Sequence, residues 1–230
     1  MIPIRDNLVR KNPAVIVWTL IGLNVLIFLW DRNGGFSGPN IGFADLAMRP
    51  IQVVKAFSNR GDPIELAKIF TSLFLHGSLM HLVGNMLFLF AFGPAVEEAI
   101  RPPRFALYYI FWGLFAAAAH IFVNPASDVP TVGASGAIGG VLGAYFLLFP
   151  GSQIRVVIPP FFFWPFTVTS WMLLVVWFLW QVLFPQEGVA NWAHVGGFLA
   201  GMVTVLVMGG RNAVLADSPI EEDAHFDEDD

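Results

Sequence analysis

Six apolar stretches, each long enough to cross a lipid bilayer as a helix, rule out a soluble fold for most of this chain. They run over roughly 14–30, 77–96, 104–123, 133–149, 166–184 and 192–209. About 17–25 apolar residues are needed for a helix to span the hydrocarbon core. Of the 230 residues, 56% are hydrophobic and 13% are charged, about half the charge of an average soluble domain. Cys is absent, which excludes disulfides and thiolate metal sites. The expected fold is therefore an all-α membrane protein, a single bundle of six transmembrane helices. The first stretch follows Arg10 and Lys11 as a signal peptide would, but it ends in Leu29-Trp30-Asp31 without a small-residue cleavage pattern and reads as a retained helix. The apolar run 156–166 is broken by Pro159, Pro160 and Pro165, and reads as an interfacial connector rather than a seventh span.

This divides the chain into an N-terminal segment, 1–13, a bundle, 14–210, and a disordered tail, 211–230. Acidic residues crowd the tail from Asp217 to Asp230, so the net charge of -5 describes the tail more than the bundle. No basic stripe suggests nucleic acid. Orientation follows from basic residues in short flanks. Arg5, Arg10 and Lys11 precede the first span, Arg101 and Arg104 follow the second, Arg155 follows the fourth and Arg211 the sixth. The alternate short loops, 124–132 and 185–191, contain neither Lys nor Arg. Both termini are thus expected in the cytoplasm. The long first loop, 31–75, is turn-rich at Asn33-Gly34-Gly35 and Gly38-Pro39-Asn40. The spacing of Ile51, Val54 and Phe57, and of Ile64, Ala67 and Lys68, predicts two short amphipathic helices in the outer interface.

Polar side chains inside a membrane are costly and mark functional sites. Gly133-Ala134-Ser135-Gly136 opens the fourth span, and Ala193-His194-Val195-Gly196-Gly197 opens the sixth. His81 and Asn85, four apart and hence on one helix face, lie near the start of the second. All three spans enter from the outer side, so these four residues share one depth. Gly136, Gly140 and Gly143 line the fourth span, and Gly197 and Gly201 form a GxxxG in the sixth. Small faces of this kind let backbones approach closely, which a serine hydroxyl needs to reach an imidazole at about 2.6–3.2 Å. Ser135 then reads as a nucleophile and His194 as its base. The Ser135 N–H and the side chains of His81 and Asn85 are candidate donors to an oxyanion. No intramembrane carboxylate is available to orient His194, and the loop residue Asp128 is a poor substitute, so a dyad is expected rather than a triad. His76, five residues before His81, is expected to point elsewhere in a structural or interfacial role. His120 is assigned to packing or the interface, His225 to the tail, and Trp171, Trp177 and Trp180 to lipid contact in preference to lining a lateral entry route. Loop 185–191 is expected to cap a hydrated opening above Ser135.

Three motifs carry a resemblance: His76-Gly77-Ser78-Leu79-Met80-His81-Leu82-Val83-Gly84-Asn85, Gly133-Ala134-Ser135-Gly136 and Ala193-His194-Val195-Gly196-Gly197. With the six-helix plan they resemble the rhomboid family of intramembrane serine proteases over roughly 14–210. The resemblance implies that Ser135 and His194 are catalytic, that His81 and Asn85 support the oxyanion, and that no metal or organic cofactor takes part. It implies partners of two kinds, the lipid bilayer and transmembrane protein substrates, cut near the outer face and commonly after small residues. A prokaryotic cell (inner) membrane is the expected location. Two departures stand out. Some members carry an aromatic residue one turn after the serine, packed on the imidazole, where this chain has Gly139. The Trp-Arg pair in the first loop of some members is also missing. The alternatives are a catalytically inactive, client-binding rhomboid-like protein, which loss of Ser135 or His194 would mark, and a small transporter, disfavoured by spans without charges. Zinc and aspartyl intramembrane proteases lack their HExxH and paired carboxylates here.

Overall fold

Lipid offers backbone N–H and C=O groups no partner, so apolar chain entering it becomes helical. The computed structural model describes residues 2–34, 36, 43–158, 165–186, 188–216 and 218–222. The helices are α1 (Val15–Asp31), α2 (Phe43–Leu46), α3 (Pro50–Phe57), α4 (Ile64–Thr71), α5 (Leu79–Ile100), α6 (Pro102–Val123), α7 (Ser135–Leu148), α8 (Ser170–Leu183), α9 (Asn191–Val207) and α10 (Gly210–Leu215). By length and composition α5 and α6, at 22 residues each, are long and apolar enough to cross a membrane, while α1, α7, α8 and α9 are shorter apolar helices. Successive long helices alternate in direction. The starts of α5, α7 and α9 therefore gather at one end of the bundle, the Ser135 end, and the start of α1 lies at the far end.

α7 is the axis of the bundle, with every residue from Gly136 to Tyr145 buried. Glycine makes this possible. A Cβ at Gly197 or Gly201 of α9 would overlap the carbonyl oxygen of Gly136 or Gly140, respectively. A Cβ at Gly140 would strike the Trp112 ring of α6, and one at Gly136 would lie 2.7 Å from Ala116 Cβ. These four glycines let α7 touch α9 on one side and α6 on the other. Trp112 Nε1 then donates to Thr204 Oγ1 at 2.9 Å, tying α6 to α9.

In the first loop, α3 buries Pro50, Val53 and Ala56. Val53 packs with Ala117 of α6. The buried face lies one residue out of register from the expected Ile51, Val54 and Phe57, and Phe57 is 70% exposed. Met48 and Thr131 exchange backbone hydrogen bonds of 3.2 and 2.7 Å, fastening the loop to the segment before α7. Gly35 and Gly38 to Asn40 lie outside the described residues.

The far end departs from the sequence reading. Strands β1 (Ile2–Asp6), β3 (Gln153–Val157) and β4 (Phe166–Thr169) form an antiparallel sheet in the order β1-β3-β4. The bundle is all-α, but this small sheet is appended to it, and part of the expected connector 156–166 is strand. Alternation explains why: Ile154 and Val156 are fully buried while Arg155 between them is not, the period-two pattern of a half-buried strand. Because β4 continues to Thr169, α8 begins at Ser170 rather than near 166. Pro159 and Pro160 lie outside the described residues. Within the tail expected to be disordered, α10 covers residues up to Leu215. Beyond α10, β5 (Glu221–Glu222) pairs with β2 (Leu8–Val9). Residues 223–230, His225 included, lie outside the described residues.

Two acidic residues next to the second apolar stretch hold the entry to α1. Ala14, at its N-cap, supplies no side-chain bond. Glu97 of α5 accepts instead from the N–H groups of Ile16 and Val17 at 2.9 and 2.8 Å. Glu98 accepts from the N–H groups of Lys11 and Asn12 at 3.0 Å each. Free N–H groups at a helix start favour such carboxylates. Nearby, Asp6 is buried, paired with Arg10 at 2.5 Å and accepting from the Tyr145 hydroxyl at 3.1 Å.

Candidate active site

The start of α7 is set by Gly133, whose φ of +121° is rarely open to residues with a side chain. A Cβ there would lie 2.7 Å from His81 Nε2 and 3.5 Å from Asn85 Nδ2. The turn thus presses the chain just before Ser135 against both side chains. Ser135 is the first residue of α7, and His194 lies in the first turn of α9. The two helices, held together by their glycines, place Ser135 Oγ 2.8 Å from His194 Nε2.

Support for the imidazole comes from α8. His194 Nδ1 is 2.8 Å from Gln181 Oε1, which also accepts from Asn191 Nδ2 at 2.8 Å. The ring of Trp177 lies against that of His194, with centroids 5.9 Å apart and planes inclined at 35°. Gly139 has no room for an aromatic, since even a Cβ would lie 2.9 Å from the His194 carbonyl oxygen. The ring beside His194 thus comes from α8 rather than α7. Trp177, expected in lipid contact, is half-buried, whereas Trp171 and Trp180 are each 48% exposed.

His76 also departs from expectation. Ser78 ends the extended approach to α5 and caps it, accepting from the His81 N–H at 3.1 Å. His76 is thus not on the helix, and the five-residue spacing does not turn it away. It is buried, its Nε2 is 2.8 Å from Asn85 Nδ2, and its ring stands edge-on to that of His81 with centroids 5.1 Å apart. Burial, aided by the neighbouring His81, lowers the His76 pKa to about 3. A neutral His76 accepts from one Asn85 N–H and leaves the other N–H of that amide available. Arg32, buried at the end of α1, donates to the His76 and Gly77 carbonyls at 3.2 and 2.9 Å and pairs with Asp31 at 2.7 Å. Asp128 is exposed and paired with Arg49 at 3.5 Å, away from the imidazole.

Ser135, His194, His81 and Asn85 all line one cavity of about 580 Å³, with His120 on its wall and Gly188 to Ala190 at its edge. A larger cavity of about 860 Å³ at the far end, lined by Glu97, Glu98, Arg101 and Arg104, contains no such serine and histidine. Among the described residues, no group of three or more His, Asp or Glu is placed to hold a metal ion. A serine hydroxyl bonded to an imidazole at the wall of a cavity is an arrangement suited to acyl transfer.

Sequence reasoning missed Gln181, Trp177, His76 and Arg32 as parts of this site. The available signal for Gln181 was the same as for His194, a long polar side chain within an apolar span.

The family model of the Rhomboid domain matches residues 63–211. Among curated proteins, the chain is 27% identical over 205 residues to the Rhomboid protease GluP of Bacillus subtilis, covering 87% of this chain and 36% of that protein. It is 28% identical over 206 residues to the mitochondrial Rhomboid protein 1 of Saccharomyces cerevisiae, covering 84% and 53%. It is also 28% identical over 144 residues to RHOMBOID-like protein 5 of Arabidopsis thaliana, covering 61% and 43%. The chain spans between about a third and a half of the length of these relatives. With the domain match running from the first loop through α9 into α10, the chain belongs to the rhomboid family and is an integral membrane bundle of α-helices.

Proposed function

We propose that this protein is an intramembrane serine endopeptidase that cleaves transmembrane helices of other membrane proteins with a Ser135–His194 dyad. The observation that carries the reading is the 2.8 Å approach of Ser135 Oγ to His194 Nε2 at the edge of a cavity. The Bacillus subtilis relative, a rhomboid protease, agrees with it. In this reading residues 14–210 are the protease domain, with six spans and both termini in the cytoplasm, and 211–230 follow it. The cavity then opens toward the outer face of what we take to be a prokaryotic cell membrane.

The reaction follows from the geometry. Ser135 Oγ attacks the scissile carbonyl carbon as its proton passes to His194 Nε2. The negative charge that develops on the carbonyl oxygen meets the Ser135 N–H and the N–H donors of His81 and Asn85. His194 then protonates the departing amine, the C–N bond breaks, and the acyl group stays on Ser135 Oγ. Water from the cavity, deprotonated by His194, attacks the ester and releases the carboxylic acid, restoring the serine proton.

A serine-directed fluorophosphonate tests this reading. Mass spectrometry should locate the adduct on Ser135, and His194→Ala should label far more slowly. Labelling confined to other serines, or of Ser135 at the same rate without His194, contradicts it.

A further inference from the structure

Every polar atom around His194 can be given a proton assignment, and the assignment starts from a group that cannot flip. The backbone N–H of Gln186 is always a donor, and it bonds Asn191 Oδ1 at 3.0 Å. That bond identifies the oxygen of the Asn191 amide, so its other end, Nδ2, is a donor. Asn191 Nδ2 faces Gln181 at 2.8 Å, so Gln181 must present its oxygen there. The same oxygen lies 2.8 Å from His194 Nδ1. A carbonyl oxygen has two lone pairs and no proton, so Nδ1 must carry the hydrogen. A neutral imidazole with Nδ1–H has its lone pair on Nε2, and Nε2 is the atom that faces Ser135 Oγ at 2.8 Å.

We infer that Gln181 is the positioning member of the catalytic unit: its side-chain carbonyl holds the Nδ1–H of His194 and thereby fixes the tautomer that takes the Ser135 proton. The inference rests on the reading of Ser135 and His194 as nucleophile and base. Gln181 does the work of a triad carboxylate without a charge. A carboxylate buried among the apolar residues of α8 would be costly to desolvate, whereas an amide with its oxygen doubly bonded is not. Gln181 is 9% exposed and Asn191 3%, so neither side chain has water as an easy alternative partner. The relay also couples the base to the loop after α8, because Gln186 belongs to that loop and its N–H anchors the first link.

A purely structural Gln181, one that only ties α8 to α9, would affect stability but not protonation. The test is a pH profile of substrate cleavage by the purified full chain in detergent, for wild type, Gln181→Leu, Gln181→Glu and Ser135→Ala. Gln181→Leu removes the acceptor at similar volume. It should lower kcat by as much as about 10⁴, the loss seen when a triad histidine takes the wrong tautomer, with KM little changed. Gln181→Glu restores an acceptor and should recover most of that loss. Its carboxylate also favours the charged imidazolium, so the acidic limb of its kcat/KM profile should move to higher pH. Wild-type kcat in Gln181→Leu, or a Gln181→Glu no more active than Gln181→Leu, overturns the inference. Should either variant fail to fold, ¹⁵N NMR of the wild-type imidazoles at neutral pH decides. A His194 protonated at Nδ1 is expected, and one protonated at Nε2 overturns the inference. Cleavage by Ser135→Ala would sink the dyad itself. A dead Ser135→Ala beside a fully active Gln181→Leu would sink only the role of Gln181.

Discussion

At the far end of the bundle the carboxylates of Glu97 and Glu98 meet the backbone N–H groups that lead into α1, while at the Ser135 end the reactive atoms of Ser135, His194, His81 and Asn85 face a cavity. The size of the opening does not separate the two, since the far-end cavity is the larger. The difference lies in what each polar group is bonded to. The far-end oxygens complete a helix terminus, so they hold structure. Ser135 and His194 are bonded to each other, and they line the cavity together with His81 and Asn85. Buried polarity in this bundle thus differs by partner, with carboxylates on backbone N–H groups at one end and a serine on a histidine at the other.

This comparison can be broken by substitution. The largest effect is expected at the base: His194→Ala should reduce cleavage by on the order of 10⁶, as loss of one member of a serine–histidine pair does, with the thermal midpoint nearly unchanged. A residual rate within tenfold of wild type would make His194 a packing residue. Asn85→Ala should lower kcat by about 10²–10³, equal to loss of one oxyanion donor, and an unchanged kcat removes Asn85 from the site. Glu97→Ala should behave in the opposite way. It leaves the Ile16 and Val17 N–H groups without their acceptor, at about 1–3 kcal/mol for each buried unsatisfied group, while folded molecules cleave at the wild-type rate. A lower kcat at constant stability would mean that the far end is not merely a cap. The smallest effect concerns Asp6, whose pKa burial raises from 3.8 despite opposing contributions from Arg10 and Tyr145. The folded state then holds its proton more tightly than the unfolded chain. Its contribution to stability is full below the unfolded pKa and is lost as pH rises through the folded value. Thermal midpoints across the acidic range should show wild type losing ground to Asp6→Asn as pH rises, and parallel curves would contradict this.

Sequence made Ser135, His194, His81 and Asn85 visible because each is an isolated polar group in an apolar run, and spacing alone put His81 and Asn85 on one face. The supporting residues were harder to see for separate reasons. Gln181 and Trp177 belong to α8, whose orientation toward His194 is a tertiary fact that no local period records. His76 was misjudged because the helix was extended back past Ser78, where the chain is in fact extended at φ -152° and ψ 161°. The sheet was hidden in the pair Ile154 and Val156, since hydropathy sums detect apolar length and are blind to a period of two in five residues. Glu97 and Glu98 fell just outside the second apolar stretch, where acidic residues read as surface until the start of α1 is seen beside them.

Whether Ser135 cuts peptide bonds is tested most directly by cleavage of a model single-span membrane substrate by the purified protein in detergent, measured beside Ser135→Ala at matched folding. Cleavage by the wild type that disappears in the variant is the predicted result. Equal cleavage by both, or none by a well-folded wild type across several substrates, would contradict it, and the second outcome would point to a rhomboid-like protein that binds its clients without cutting them.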